Sequence, residues 1–329
     1  MAGAGLIAIK SRIKSITSTK KITKAMGLVA TAKLRKTRAK LEVNTKYNSY
    51  FNEAINEVLE GFPSETYNVY THGNESKKKL YIVLTSDSGL CGGFNSNIVN
   101  NTVTELSQDR ENSLIILVGQ KGRAYFNRYK YKSVAEFLDI PDLPSIKEAY
   151  AITNKAIEMY EKGEVGEVYV SFTKFVSTVN QSNEIKKLLP LGYNEKDELK
   201  DYVMIEPDIV EFVNQTVKIN LNQQILNCML NSKASEQGSR MAAMDGATRN
   251  ANDILEDLKL KYNRPIGIVL LDKHSVLPLY TWKKHRLAML LLMLMTDWIY
   301  MIQFLLIFLF CSESFSKVSF IIGYFSQSL

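Results

Sequence analysis

The sequence is poor in the residues that build metal sites, disulfides and catalytic sets. Its three histidines, His72, His274 and His285, stand far apart and at no ligand spacing to cysteine or carboxylate. That argues against a metal site. The cysteines, Cys91, Cys228 and Cys311, are odd in number and widely separated, so no disulfide framework is implied and a reducing compartment fits. No acidic residue occurs before Glu42, and no proline interrupts the stretch from Lys10 to Leu41. The first nine residues are mildly apolar but short, with no basic segment ahead of them, unlike a secretory signal.

What fills that acid-free, proline-free stretch is base. Lys10, Arg12, Lys14, Lys20, Lys21, Lys24, Lys33, Arg35, Lys36, Arg38 and Lys40 all fall within it, a large part of a chain whose formal net charge is only +7. Beneath the charge runs a seam of apolar and small residues: Ile9, Ile13, Ile16, Lys20, Thr23, Gly27, Ala30, Leu34, Thr37, Leu41. Its steps alternate four and three, the heptad rhythm. A helix this basic, with small residues in its seam, needs a partner helix along the seam and acidic groups outside it. The pattern continues to Leu59 and stops at Gly61-Phe62-Pro63. Roughly fifty residues at about 1.5 Å each make a helix of about 75 Å, longer than a small domain, so it is expected to form a coiled-coil arm.

The chain then changes character. Thr71 to Lys79 reads as a polar loop. Buried-type strands are expected at Leu80–Thr85, Leu114–Val118 and Val168–Phe172, with a shorter one at Val134–Leu138 and an antiparallel partner at Glu184–Leu191. Helices are expected from the glycine-rich turn to Leu106, and from Ser145 to Lys162. This alternation predicts an α/β layer with a mostly parallel sheet. From Asp208 helix returns, and Met241, Met244, Thr248, Ala251, Leu255, Leu258 and Tyr262 repeat the heptad rhythm. Pro265 is expected to end that helix. The expected divisions are 1–62, the first coiled-coil helix; 76–193, the α/β domain; 208–264, the second coiled-coil helix; and 265–329, an atypical apolar tail.

The turn Ser86-Asp87-Ser88-Gly89-Leu90-Cys91-Gly92-Gly93-Phe94-Asn95 has two readings. One is a phosphate cradle at a helix N-terminus. No lysine follows the glycines, and the spacing is not G-x-G-x-x-G, so a tight strand-to-helix turn built on Gly89, Gly92 and Gly93 is preferred. Asp87, with no second carboxylate or histidine at useful spacing, reads as a cap or turn acceptor. No catalytic residue, cofactor ligand or metal ligand is assigned. For the basic helix, a solvated face and nucleic-acid binding both compete with an acidic protein sleeve. No recognition turn, zinc ligands or aromatic stacking series supports nucleic acid.

Three ordered motifs carry a resemblance. They are Ile22-Thr23-Lys24-Ala25-Met26-Gly27-Leu28-Val29-Ala30 followed by Lys33-Leu34-Arg35-Lys36; Thr85 to Asn97; and Ser239-Arg240-Met241-Ala242-Ala243-Met244-Asp245-Gly246-Ala247-Thr248-Arg249-Asn250-Ala251. Together with Leu188-Leu189-Pro190-Leu191, they make residues 1–264 resemble the gamma subunits of bacterial-type F-type ATP synthases. The resemblance implies an α/β fold class: a long antiparallel two-helix coiled coil from the terminal segments plus a Rossmann-like α/β domain. It implies a non-catalytic central rotor without bound nucleotide or other cofactor, coupling proton or sodium flow to ATP synthesis. Expected partners are three alpha and three beta subunits, the epsilon subunit and the c-ring, at the cytoplasmic side of the cell membrane. Lys24, Met26, Arg35 and Lys36 are the expected contacts toward the beta subunits, with Lys24 to Met26 matching the segment near the acidic beta lever loop. Ile13, Ile16, Gly27, Ala30, Leu34, Met241, Met244 and Leu255 are the expected coiled-coil seam.

The departure comes after Arg264. The family continues with a motif close to R-x-A-x-I-T-x-E-I-x-E-I-V-x-G-A and ends in a tip seated in the ring's bearing. Here Leu287 to Phe310 is almost wholly apolar, exceeds the ~20 residues that span a bilayer and follows Lys283, Lys284, His285 and Arg286. Asp297 near its centre is costly in lipid. A shift of reading frame is favoured over a genuine membrane tail. The alternative function is a tail-anchored membrane protein with a basic coiled-coil arm.

Overall fold

The computed structural model describes residues 2–60, 68–191 and 209–275. The chain divides into two units, Ile7–Leu258, and Met1–Leu6 with Lys259–Leu329. The described residues of the second unit are helical. The apolar stretch 287–310 lies outside the described residues.

Two long helices bracket the fold, α1 (Ala2–Glu60) and α6 (Ile209–Ser275). Between them lie α2 (Val69–His72), β1 (Lys79–Leu84), α3 (Phe94–Leu106), β2 (Ser113–Val118), α4 (Gln120–Arg128), β3 (Ser133–Phe137), α5 (Ile146–Glu161), β4 (Glu167–Phe175) and β5 (Gln181–Leu189). The strand order is β3-β2-β1-β4-β5. β1 pairs parallel with both β2 and β4, β2 pairs parallel with β3, and β5 closes the edge antiparallel to β4. The expected α/β class with two long flanking helices is therefore the observed one.

β1 occupies the centre because its Leu-Tyr-Ile-Val-Leu run is apolar on both faces, as a strand covered on both sides must be. Tyr81 and Val83 point to one layer, where Ile98, Val99 and Leu106 of α3 and Phe126 of α4 meet them. Leu80, Ile82 and Leu84 point to the other, with Ala149 and Ile152 of α5 and Leu221, Ile225 and Met229 of α6. Leu34 and Leu41 of α1 belong to this second cluster. One face of the sheet thus supports α6, and α1 completes the burial of α6.

Local chemistry sets the ends of α5. Ser145 accepts from Lys147 N, and Glu148 accepts from the Ser145 backbone, a capping box. At its other end Glu161 accepts from the Tyr70 phenol and pairs with Lys218 of α6 at 2.8 Å. Tyr70 also stacks on Tyr160, with centroids 6.1 Å apart. Asn68 caps α2 and bonds Asn214 of α6 at 2.8 Å.

Two expectations need correction. Pro265 does not end the second helix, which runs to Ser275. A proline removes one hydrogen bond and crowds the preceding turn. A helix already propagated over more than fifty residues can absorb that loss as a local distortion. The segment expected to be a polar loop from Thr71 begins inside α2, because Asn68 supplies a cap that starts a single helical turn.

These ties make stability fall in acid. Burial works against the Glu161 carboxylate, but hydrogen bonds from Lys218 and Tyr70 outweigh it and hold its pKa below the ordinary value. The Ser145 side chain and backbone do the same for Glu148. A lowered folded-state pKa gives stability that is present above the unfolded carboxylate pKa, near 4.3, and lost as pH falls through the folded value. The thermal midpoint is expected to drop between about pH 5 and pH 3. E161Q is expected to flatten that drop while lowering the midpoint at pH 7, read by circular dichroism melts.

Candidate functional site: the helix pair and the loop that holds it

α1 and α6 pair antiparallel within Ile7–Leu258. Thr23 and Thr248 share a hydrogen bond of 2.8 Å, Gln223 donates to Asn44 at 2.6 Å, and Asn227 donates to Thr45 at 3.3 Å. Numbers climb on one helix as they fall on the other. On α1, Ile13, Ile16, Thr23 and Gly27 are half-buried, and Ala30, Leu34, Thr37 and Leu41 are buried. On α6, Met241 is half-buried, and Met244, Ala251, Leu255 and Leu258 are buried. Gly27 lets the backbones close: a Cβ there would sit 3.5 Å from the Met244 Cβ.

The outer face is different. Lys24, Arg35 and Lys36 are exposed, and Met26 is half-buried. Among the bases stand exposed apolar side chains, Ile22 at 60%, Leu28 at 65% and Val29 at 53%. Exposed apolar groups and exposed bases thus share this stretch of the helix surface. Lys33 is turned inward instead, pairing with Asp142 at 2.8 Å, and Lys40 donates to the Pro144 carbonyl at 2.6 Å.

The glycine-rich turn follows β1, at the point where the strand order reverses between β1 and β4. In open α/β sheets that crevice is where ligands bind. Here α6 fills it. Arg240 donates to the Ser88 hydroxyl at 2.8 Å and to the carbonyls of Ser88 and Gly89 at 3.3 Å, and pairs with Glu236 at 2.8 Å. Lys233 lies 3.3 Å from Glu236 and 3.8 Å from Asp87. The space left beside Leu84, Thr85 and Lys233 is about 10 Å³, room for no more than about one water. Asp87 accepts from the backbone N–H groups of Gln120, Asp139 and Ile140 at 3.0–3.1 Å. It therefore caps α4, whose own N-cap, Gly119, has no side chain.

The glycines serve this turn in distinct ways. Gly92 is left-handed, with φ of 57°, which only glycine adopts freely. Gly93 is the N-cap of α3. The Gly89 carbonyl receives Arg240. Cys91 is buried beside Asn95, whose amide donates to Ser86 Oγ at 2.7 Å and whose oxygen accepts from Ser86 N at 3.0 Å. Cys228, buried in α6, has its thiol pushed up to about 12 by burial and is inert as a nucleophile. Among the described residues no group of His, Cys, Asp or Glu side chains is placed to hold a metal ion.

The tie of Lys233, Glu236 and Arg240 was not anticipated from sequence. Its signal was there, as charges three and four apart inside an otherwise neutral stretch of α6. A helix surface normally exposes such charges, and nothing local says that a loop some 150 residues earlier will cover them.

A family model described as ATP synthase matches residues 5–265. The ATP synthase gamma chain of Clostridium kluyveri is 53% identical over 264 residues, covering 80% of this chain and 93% of that one. That of Clostridium acetobutylicum is likewise 53% identical over 264 residues. Among solved structures, the central stalk and c-ring of Tetrahymena thermophila mitochondrial ATP synthase matches with a TM-score of 0.56 at 25% identity, over 69% of this chain and 99% of that one. The rotor of Euglena gracilis mitochondrial ATP synthase shares the fold, with a TM-score of 0.61 at 16% identity, over 82% of this chain and 99% of that one. These define a component of an ATP synthase. The chain belongs to the ATP synthase gamma chain family.

Two outcomes follow from the geometry. Removing the Arg240 guanidinium leaves Glu236 with Lys233 alone and the turn carbonyls unpaired. R240A is expected to cost about 3 kcal/mol and to speed amide exchange at Ser86–Gly93, read by hydrogen-exchange mass spectrometry. At Gly27, alanine meets Met244 at ordinary contact distance, so G27A should stabilise by about 0.5–1 kcal/mol. G27L should overpack and destabilise by about 1–3 kcal/mol, read by denaturant melts.

Proposed function

We propose that this chain is the gamma subunit, the central rotor shaft of an F-type ATP synthase, coupling ion flow through the membrane sector to ATP synthesis at the beta subunits. One observation carries the reading beyond family membership: the paired helices turn an acid-free, basic and partly apolar face outward along α1 as far as Leu41. A shaft that must be gripped by a surrounding ring through many transient contacts needs such a face on its outside and a sealed seam inside. The crevice of its α/β domain is filled by Lys233 and Arg240, which supports a part that is not itself catalytic. The relatives of known structure are rotor, F1 and c-ring assemblies. By that likeness, alpha, beta and epsilon subunits and the c-ring are the partners, with no nucleic acid. The complex is placed at the cell membrane, with this subunit peripheral on the cytoplasmic side. Among the described residues no helix is long and apolar enough to cross a membrane.

Within this reading, Lys24, Met26, Arg35 and Lys36 meet the beta subunits, the bases facing acidic loops. The tail-anchored alternative is not favoured, since the family match runs over residues 5–265. From the end of that match, the tail 265–329 stands in place of the family's tip, and a change of reading frame near Arg264 is the simplest origin of so abrupt a loss.

The test is assembly. Expressed with alpha and beta subunits, the chain is expected to co-purify with them, and failure of any assembly would sink the reading. The triple variant K24E/R35E/K36E is expected to lower ATP-driven proton pumping at least tenfold while leaving the isolated chain's melt unchanged. An equal loss of folding would show that the bases serve the fold instead. Restoring the family ending after Arg264 is expected to raise coupling, measured as protons pumped per ATP. Equal coupling with and without it would refute the tip assignment.

A further inference from the structure

The loop between β3 and α5, residues 138–145, bonds to α1 over a stretch that α6 holds only by packing. Among the described residues, the hydrogen bonds that join α1 to α6 lie at Thr23, Asn44 and Thr45. Between those levels the polar bonds of α1 to other elements run to this loop instead. Lys33 Nζ lies 2.8 Å from Asp142 Oδ2, and Lys40 Nζ donates to the Pro144 carbonyl at 2.6 Å. The buried Thr37 hydroxyl reaches the Asp142 carbonyl at 3.5 Å. Lys33, Thr37 and Lys40 follow one another at steps of four and three, so they form one stripe of the helix.

The α/β domain holds the loop at both ends. Asp139 N and Ile140 N donate to the Asp87 carboxylate at 3.0 and 3.1 Å, and Lys233 of α6 lies 3.8 Å from the same carboxylate. At the other end Ser145 is fixed by Glu148 as the cap of α5. The loop between these anchors is stiff. Pro141 and Pro144 are two of the chain's seven prolines. Each ring fixes its own φ and restricts the residue before it, here Ile140 and Leu143. Asp139 is left-handed, with φ of 57°, a conformation that a residue other than glycine keeps where its surroundings impose it. A short, stiff segment anchored at both ends to the domain and bonded along its length to α1 has the form of a strut. Its contact with α1 falls in the same turn as the exposed Arg35 and Lys36, where the rotor reading applies load.

We propose that loop 138–145 is a load-bearing strut of the shaft. Lys33 and Lys40, acting through Asp142 and the Pro144 carbonyl, are positioning residues that hold the loaded stretch of α1 against the α/β domain. Force on α1 then reaches the domain directly as well as through α6. The inference rests on the rotor reading and adds a second path for load to it. Lys33 and Asp142 remain 41% and 49% exposed, and an exposed ion pair adds little to folding stability. The pair therefore acts on where α1 sits under load more than on whether the chain folds.

The geometry is tested in the isolated full chain and the role in the assembly. Nitroxide labels are placed on α1 and α3 through A39C and N101C, with C311S to remove a competing thiol, and the distance between them is read by pulsed electron paramagnetic resonance. D142K, which sets a lysine against Lys33, and P141G/P144G, which keeps every contact but loosens the loop, should each broaden the distance distribution about twofold. K33D/D142K, which restores the pair with its polarity reversed, should return it to the original width. In the complete synthase in vesicles, D142K and P141G/P144G should leave ATP hydrolysis without an opposing gradient unchanged. They should lower the largest ion gradient that ATP-driven pumping sustains about threefold, and K33D/D142K should recover it. Distances and gradients indifferent to both variants, or no recovery in the reversed pair, overturn the proposal. Equal falls in melting midpoint, hydrolysis and gradient would show a purely structural loop and overturn it as well. If the unmodified chain does not join alpha and beta subunits, the rotor reading falls and takes this role with it, an outcome seen before any variant is compared.

Discussion

The fold depends on one unusual burial. The middle of α6, from Asn220 to Arg240, is polar in sequence yet covered along nearly its whole length. Most buried polar groups have their hydrogen bonds replaced; here the replacements come from several directions, although Asn222 Oδ1 and Gln237 Oε1 are buried without one. Asn44 and Thr45 of α1 take Gln223 and Asn227, Phe175 N donates to Asn231, the Thr173 carbonyl takes Ser235, and the turn after β1 takes Arg240. These bonds fix α6 against α1, β4 and the turn after β1. Taken together they specify one register and one rotation of the helix, which an apolar stripe alone would leave looser. A shaft that transmits twist to its α/β domain needs that kind of specificity, because apolar contacts resist separation better than they resist sliding.

The second consequence concerns the crevice of the α/β domain. A sheet with order 3-2-1-4-5 and a glycine-rich turn after its central strand would ordinarily hold a ligand at the reversal point. The same residues here hold α6. Lys233 and Arg240 bring positive charge where a phosphate would otherwise be bound, and Asp87 spends its carboxylate on three backbone donors. The architecture of a nucleotide-binding domain thus serves as a clamp on a helix. Function lies in the site and not in the fold.

Much of this was legible in the sequence because it is local. Ser145 announces the start of α5, the apolar runs at 80–84 and 114–118 announce strands buried in the sheet, and Ala30, Leu34, Thr37 and Leu41 of the small-residue rhythm on α1 are buried. What was illegible depends on distant partners. The buried polarity of α6 looks like a solvated helix face until α1, β4 and the turn after β1 are brought to it. Asp87 reads as a cap or turn acceptor, and only the tertiary fold shows that the helix it caps is α4. Pro265 reads as a stop, because sequence rules weigh a proline against a single turn and not against a long helix already formed. The proposed contacts at Lys24 and Arg35 rest on partners outside this chain, so no reading of the chain's own packing reaches them.

As the shaft of a rotor, α1, α6 and the α/β domain turn as one body. Thr23 and Thr248 place their hydroxyls 2.8 Å apart across the helix pair, close enough for a disulfide after substitution. The decisive measurement is ATP hydrolysis by the alpha–beta assembly containing T23C/T248C, oxidised and then reduced. The account predicts that locking the two helices leaves turnover unchanged, since they move together. Turnover that stops on oxidation and returns with reductant would mean that α1 and α6 must slide past each other, and would contradict it.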